Sequence, residues 1–238
     1  MMTMNKNSNT YTFIYASVMV ILVAAALALV SDSLKAKQQR NVDIDKMTQI
    51  LTSVKVEADM SNAEAKYAEV ITAAYAVNAK GEKTITDAKQ TFIIDMAKEI
   101  AKPLEERNLP VYEATVEGSK KYIIPLYGAG LWGPIWGYVS LESDANTIFA
   151  ASFSHKGETP GLGAEITTSN FQTPFTGKQI FRDGQFRSIA VMKAGVKSET
   201  QDQVDAISGG TITSKGVEAM LYDCLSVYEA FLKTIKED

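Results

Sequence analysis

The sequence predicts an α+β fold in which an antiparallel sheet is packed with helices and closed by a helix at the C-terminus, behind a single transmembrane helix. Three observations predict it. The N-terminus holds a long uncharged apolar run, the chain after Leu109 alternates in hairpin fashion, and Ser208-Gly209-Gly210-Thr211-Ile212-Thr213-Ser214 runs into a final apolar stripe. The 238 residues are 46% hydrophobic and 22% charged, which is ordinary for one globular core beside an anchor. A net charge of −4 with no basic tract argues against a nucleic-acid partner. One cysteine and one histidine exclude an intramolecular disulfide and leave no zinc-ligand set of the usual kind.

From Asn7 to Ser31 there is no charge, and Tyr11 to Val30 is almost wholly apolar. About twenty residues at roughly 1.5 Å rise match a hydrocarbon core of ~30 Å. An uncleaved anchor is the preferred reading. A signal peptide is the alternative, because Ala26-Leu27-Ala28 resembles a cleavage site, but the apolar run is long for one. The absence of a nearby cysteine excludes a lipoprotein. Lys35, Lys37 and Arg40 follow the run and Lys6 precedes it, so the positive-inside rule alone would leave the body cytoplasmic.

Beyond the anchor, Ile44, Met47, Ile50, Leu51 and Val54 keep a helical spacing over Asp43 to Val54. Ser61 to Ala74 reads as a helix, with Ser61 as N-cap and Glu64 three residues on. Ala79 to Thr91 is polar and reads as loop, Phe92-Ile93-Ile94 as a short strand, and Ala97 to Arg107 as partly helical because of Pro103. Three hairpins follow. Val111 to Val116 and Tyr122 to Leu126 flank Glu117-Gly118-Ser119-Lys120. Ile135 to Leu141 and Thr147 to Phe153 flank Ser143-Asp144-Ala145-Asn146. Lys178 to Arg182 and Gln185 to Met192 flank Asp183-Gly184, the strongest turn signal of the three. Val217, Leu221, Cys224, Tyr228, Phe231 and Ile235 then predict one closing helix of about five turns, with Cys224 as a packed core thiol.

Three glycine-bearing loops stand out. Gly128 to Gly137 holds both tryptophans, Trp132 and Trp136; it reads either as a turn that packs aromatic rings into the core, which is favoured, or as a platform for a flat aromatic ligand. His155 to Glu165 contains Pro160, which restrains Thr159, and two glycines, Gly161 and Gly163. It has neither P-loop nor dinucleotide-fold order. His155 has no nucleophile at a useful spacing and reads as a structural or surface histidine. Ser208 to Ser214 places glycines and hydroxyls at a helix start, where free amides and the macrodipole favour an anion such as phosphate. Alone, it reads as a capped glycine turn.

Together, G-x-G-L-W at Gly128 to Trp132, E-T-P-G-L-G at Glu158 to Gly163 and D-x-x-S-G-x-T-x-T-S at Asp205 to Ser214, behind an N-terminal anchor, closely resemble the C subunit family of the Na⁺-translocating NADH:quinone oxidoreductase. The segment from about Asp43 to Asn108 matches in layout only. The resemblance implies an FMN-binding domain at 109–238, a helical stalk and first part of the soluble domain at 32–108, an anchor at 11–31 and a cytoplasmic tail at 1–10. It implies FMN joined by a phosphoester to Thr211, with Gly210 standing where the family usually has alanine. Ser208, Gly209, Gly210, Thr213 and Ser214 would surround the phosphate. Gly130, Leu131, Trp132, Glu158, Thr159, Gly161, Leu162 and Gly163 would face the ring, Leu131 or Leu162 on its plane and Glu158 and Thr159 at its polar edge.

A threonine hydroxyl is a weak nucleophile unaided, and the resemblance implies a Mg²⁺-dependent flavin transferase that takes FMN from FAD and leaves AMP. It further implies flavin and iron–sulfur partner subunits, electron relay toward quinone (ubiquinone), Na⁺ transport, and a single-pass protein of the bacterial inner membrane. Against the charge count, it implies a soluble domain on the periplasmic side. Neither a metal site nor an acid–base catalyst is expected. The competing readings are the G subunit of an Rnf-type ferredoxin:NAD⁺ oxidoreductase and a membrane-tethered binding or assembly module without a redox cofactor. A hydrolase using Ser208 or Thr211 ranks last, because no base is placed by sequence.

Overall fold

The computed structural model describes residues 8–237, with side chains to residue 235; Lys6 and most of the tail expected at 1–10 lie outside the described residues. The chain divides into two units, residues 1–45 and 46–238. The first is the greater part of α1 (Asn9–Thr52). It is one helix among the described residues that is long and apolar enough to cross a membrane, and its side chains over the apolar run are exposed.

The second unit begins with the last turns of α1 and is built on a six-stranded antiparallel sheet. In chain order come α2 (Ala63–Val70), β1 (Ile71–Val77), β2 (Lys83–Ile85), α3 (Ala88–Phe92), α4 (Met96–Ile100), β3 (Leu109–Val116), β4 (Ser119–Ala129), β5 (Pro134–Leu141) and β6 (Ile148–His155). The strand order is β2-β1-β3-β4-β5-β6. After β6 come α5 (Ser169–Gln172), the small hairpin β7 (Phe181–Arg182) and β8 (Gln185–Phe186), the parallel pair β9 (Ala190–Met192) and β10 (Gln203–Asp205), then α6 (Thr211–Ser226) and α7 (Glu229–Glu237).

Side chains alternate across the pleat, and both faces of the sheet are covered. Val111, Tyr122, Ile124, Leu126, Ile135 and Val139 pack with Val217, Leu221, Leu225, Tyr228 and Phe231 of the C-terminal helices. On the other face Tyr112, Ala114, Ile123 and Tyr138 pack with Ile50 and Val54 at the foot of α1. That foot is also tied by polar contacts. Trp136 Nε1 donates to Gln49 Oε1 at 3.0 Å, the Ser140 hydroxyl donates to the Ser53 carbonyl, and Lys46 donates to the Phe92 and Ile94 carbonyls.

All three expected hairpins form. In two of them the turn is a pair of left-handed residues, Glu117 with Gly118 and Asp183 with Gly184, the geometry that suits the twist of paired strands. Elsewhere the structure departs from the expectation. Ile71 to Ala74 belong to β1 rather than to a helix over 61–74, because antiparallel pairing with distant β3 overrides the helical preference of an alanine-rich run that has no polar alternation to mark it as a strand. Ser61 is bound to Asp59 and does not cap α2, whose N-cap is Asn62. Phe92 ends α3 and no strand forms at 92–94, while the polar stretch 79–91 contains β2 and most of α3, which Asp87 caps through the Gln90 amide. The expected hairpin strand Gln185 to Met192 splits at Ser188, whose φ is +60. The closing helix is two helices, broken at Val227-Tyr228, although the apolar stripe runs through both.

Tyr228 explains the break. Its ring is fully buried and its hydroxyl donates to the Pro110 carbonyl at 2.9 Å, pinning the chain to the start of β3. Nearby, β4 outruns its pairing with β3, which ends at Tyr112 and Ile123. Pro125, which has no N–H, falls beyond that point. The Tyr127 amide and carbonyl are instead met by Cys224 Sγ at 3.4 and 3.3 Å. Burial pushes the Cys224 thiol up to about 11.

Tyr228→Phe should cost about 1–3 kcal/mol by orphaning a buried carbonyl, read as a lower melting temperature of the detergent-solubilised chain. Cys224 should resist alkylation at pH 8 in the native protein, well below its raised pKa, and react fully in denaturant, as followed by mass spectrometry.

Candidate functional site

Three loops meet at the N-terminus of α6. The first is the tip of the β4–β5 hairpin, a tight turn in which the Gly130 amide donates to the Gly133 carbonyl at 2.8 Å. The expectation that its aromatic rings enter the core is corrected here: Trp132 is 68% exposed and Leu131 48% exposed, and Trp136 is half-buried against Gln49. A two-residue excursion between paired strands has no room to fold a side chain back over the sheet.

The second loop follows β6. The Glu158 amide donates to His155 Nδ1 at 3.1 Å, which gives His155 the structural role expected of it. Thr159 is exposed, and its carbonyl accepts from the Leu162 and Ala164 amides, closing the turn. Leu162 stands out at 41% exposure. Gly161 is exposed with open space around it, its amide held by Glu165, so it is not brought against the helix start.

The third loop ends β10 and starts α6. Gly209 has φ +75, a conformation that side chains avoid, and a Cβ there would stand 2.7 Å from Leu162 Cδ2. Gly210 is the N-cap and offers no side chain to the first-turn amides. Thr211 is the first helical residue and is exposed; Ser208 is exposed beside it. Ile212, at 59% exposure, adds a third apolar surface to those of Trp132 and Leu162. Thr213 and Ser214 turn inward: Ser214 Oγ accepts from the Ile207 amide at 3.0 Å, which fixes the chain entering the helix.

Glu158 joins the three loops. The resemblance puts it at the polar edge of a ring, but its side chain lies inside, 5% exposed, with both oxygens engaged by protein groups. Oε1 accepts from the Trp132 amide at 2.8 Å and Oε2 from the Thr213 hydroxyl at 2.5 Å. Gly163 makes the approach possible, since a Cβ there would be 2.3 Å from Glu158 Oε2 and 2.5 Å from Thr213 Oγ1. Gly130 does the same on the other side, 2.5 Å from Oε1.

Two positions that place the helix were not singled out from the sequence. Gly216 lies in α6 where a Cβ would be 2.3 Å from the Ala129 carbonyl oxygen, and Ile207 seats Gly210. A glycine inside a helical stripe is the signal that could have found the first; a single Ile before the glycines carries none.

The arrangement fits a phosphate bearing an aromatic group. An uncapped helix start of 16 residues leaves first-turn amides for an anion, next to an exposed hydroxyl, and Leu162, Ile212, Leu131 and Trp132 offer an apolar rim for a ring. Among the described residues no group of His, Cys, Asp and Glu is arranged to hold a metal ion.

Comparison with known proteins agrees. The model of the FMN-binding domain family matches residues 130–226, a span that includes all three loops. The C subunit of the Na⁺-translocating NADH-quinone reductase from Haemophilus ducreyi is 31% identical over 78% of this chain and 77% of its own. A crystal structure of the same reductase's C subunit from Parabacteroides distasonis is similar with a TM-score of 0.79 and 52% identity, covering 84% of this chain and 96% of that one. The crystal structure of NqrC from Shewanella oneidensis is similar with a TM-score of 0.68 and 29% identity, over 83% and 100%.

Gly163→Ala should separate Glu158 from Thr213 and lower stability by about 1–3 kcal/mol. Thermal melting and faster hydrogen exchange at the Trp132 amide would register it.

Proposed function

Because this chain belongs to the C subunit family of the Na⁺-translocating NADH-quinone reductase, we propose that it is a membrane-anchored flavoprotein subunit whose FMN is attached through a phosphoester to Thr211. The observation that carries the proposal is the position of Thr211, an exposed hydroxyl at the uncapped start of a long helix. When bound, FMN supplies the electron-transfer chemistry. The chain's own residues hold and orient it. The first-turn amides of α6 receive the phosphate, Leu131, Trp132, Leu162 and Ile212 flank the ring, and Thr159 and Ser208 offer exposed hydroxyls at its margin. Gly130 and Gly163 make room for the Glu158 side chain that ties the loops together behind it.

Attachment falls to a Mg²⁺-dependent flavin transferase. The Thr211 hydroxyl takes the flavin-bearing phosphoryl group of FAD, its proton is lost, the pyrophosphate bond breaks and AMP leaves. Gly209 and Gly210 let the turn seat against Leu162 and Ile207 on its concealed side, while the hydroxyl faces outward. The protein then passes electrons between partner flavin and iron–sulfur subunits on the way to quinone, in a complex that moves Na⁺, and is not catalytic alone. We place α1 across the bacterial inner membrane, the tail at 1–10 in the cytoplasm and the domain at 109–238 in the periplasm. The relatives described above favour this reading over the Rnf-type subunit and over a cofactor-free tether.

The test is the intact mass of the full chain produced with and without the transferase. Wild type should gain one FMN-sized increment, and its band should fluoresce on a denaturing gel. Thr211→Ala should melt at the wild-type temperature and gain nothing. A flavin-modified peptide elsewhere would move the site.

A further inference from the structure

We propose that Glu158 lowers the reduction potential of the flavin held at Thr211, acting as a buried negative charge that no ion pair among the described residues neutralises. The proposal rests on the reading of Thr211 given above. The carboxylate is almost fully buried, and its two partners, the Trp132 amide and the Thr213 hydroxyl, are both neutral. Each carboxyl oxygen has one hydrogen-bond partner, Oε1 the Trp132 amide at 2.8 Å and Oε2 the Thr213 hydroxyl at 2.5 Å. The ion pairs among the described residues, such as Lys215 with Glu218 on α6 itself, do not include it.

The hydrogen-bond network does not need that charge. A glutamine of the same shape would accept from the Trp132 amide through its oxygen and donate to the Thr213 hydroxyl through its nitrogen, because a hydroxyl both donates and accepts. Both loops would still be tied, with one amide N–H left over, and the cost of burying an unpaired carboxylate would be removed. The charge is therefore separable from the network, and any effect it has beyond these two bonds falls on its surroundings.

Geometry shows what those are. Thr213 lies in the first turn of α6, two residues after Thr211, and the Trp132 amide belongs to the same hairpin tip as the exposed Leu131 and Trp132 side chains. The charge therefore stands on the protein side of the rim. A charge that is itself buried is less screened than one in water, so it is felt over several ångströms. It opposes the addition of negative charge to a neighbouring group, and it offsets the positive end of α6, which favours it.

The experiment is a spectroscopic redox titration of the full chain, matured with the transferase, as wild type, E158Q and E158D. E158Q keeps the hydrogen bonds and loses the charge; E158D keeps the charge and lengthens the hydrogen bonds. E158Q should melt near the wild-type temperature and titrate at a more positive potential. The shift should change the reduced-to-oxidised ratio at fixed poise by at least tenfold, or about 30 mV for a two-electron couple. E158D should be less stable yet titrate closer to wild type.

A potential unmoved in E158Q, or moved as far in E158D, would overturn the assignment. So would an E158Q protein that fails to fold, since the amide satisfies the same partners, or one that folds without accepting flavin. Wild type lacking flavin after maturation would instead defeat the reading of Thr211.

Discussion

The closeness of α6 to β4 is the constraint from which the rest of the site follows. At Gly216 the helix backbone meets the Ala129 carbonyl, and at Gly128 the strand meets the Met220 side chain, where an added Cβ would lie 2.7 Å from Met220 Cβ. A glycine inside a helix costs about 1 kcal/mol relative to alanine, and here the cost is offset by burial of Val217, Met220, Leu221 and Cys224 against the sheet. That approach is open because β4 continues past the end of β3. With the helix seated this low, its first turn reaches the hairpin tip and the Glu158 loop, and three segments far apart in the chain share one carboxylate.

The parts of the fold that were legible are those with a local cause. Hairpin turns need left-handed residues, and Glu117-Gly118 and Asp183-Gly184 announce them. The anchor and the C-terminal stripe announce themselves by period and length. What escaped has a non-local cause. β1 reads as helix because Ala73 and Ala74 favour one, and only the strands and helices stacked about it make it a strand. The break at Tyr228 is set by a carbonyl more than a hundred residues earlier, at Pro110. Within the site, the loops and Thr211 were visible as motifs, but the direction of each side chain was not. Glu158 turns in and Trp132 turns out, the reverse of what polarity alone suggests, because the buried donors at the junction require an acceptor and the two-residue tip leaves the indole nowhere to go.

The glycine at position 210 has a similar explanation. A Cβ there would stand 2.9 Å from Ile207 Cγ2 and 3.2 Å from the Leu162 carbonyl carbon, closer than nearly all real contacts. Ile207 is itself fixed through its amide to Ser214 Oγ. Where the resembling family usually has alanine, this chain has a branched side chain and a loop pressed against the position, and glycine is what fits. The difference belongs to packing on the concealed side of the turn, whereas Thr211 and Ser208 face outward.

Exposure also bears on why a covalent bond would be the right means of holding a flavin here. Sites that retain a small molecule by affinity usually enclose most of its surface. Here the four side chains proposed to flank the ring are each between 41% and 68% exposed. Such a surface would leave a ring reachable by redox partners and would enclose less of it than a deep pocket does. Under the proposed attachment to the hydroxyl at the helix start, the two demands would separate: the ester would supply retention, and the rim would be left to supply orientation and access. A deeper pocket would tighten binding at the expense of contact with partners, so an exposed rim is what the proposed covalent tether would call for.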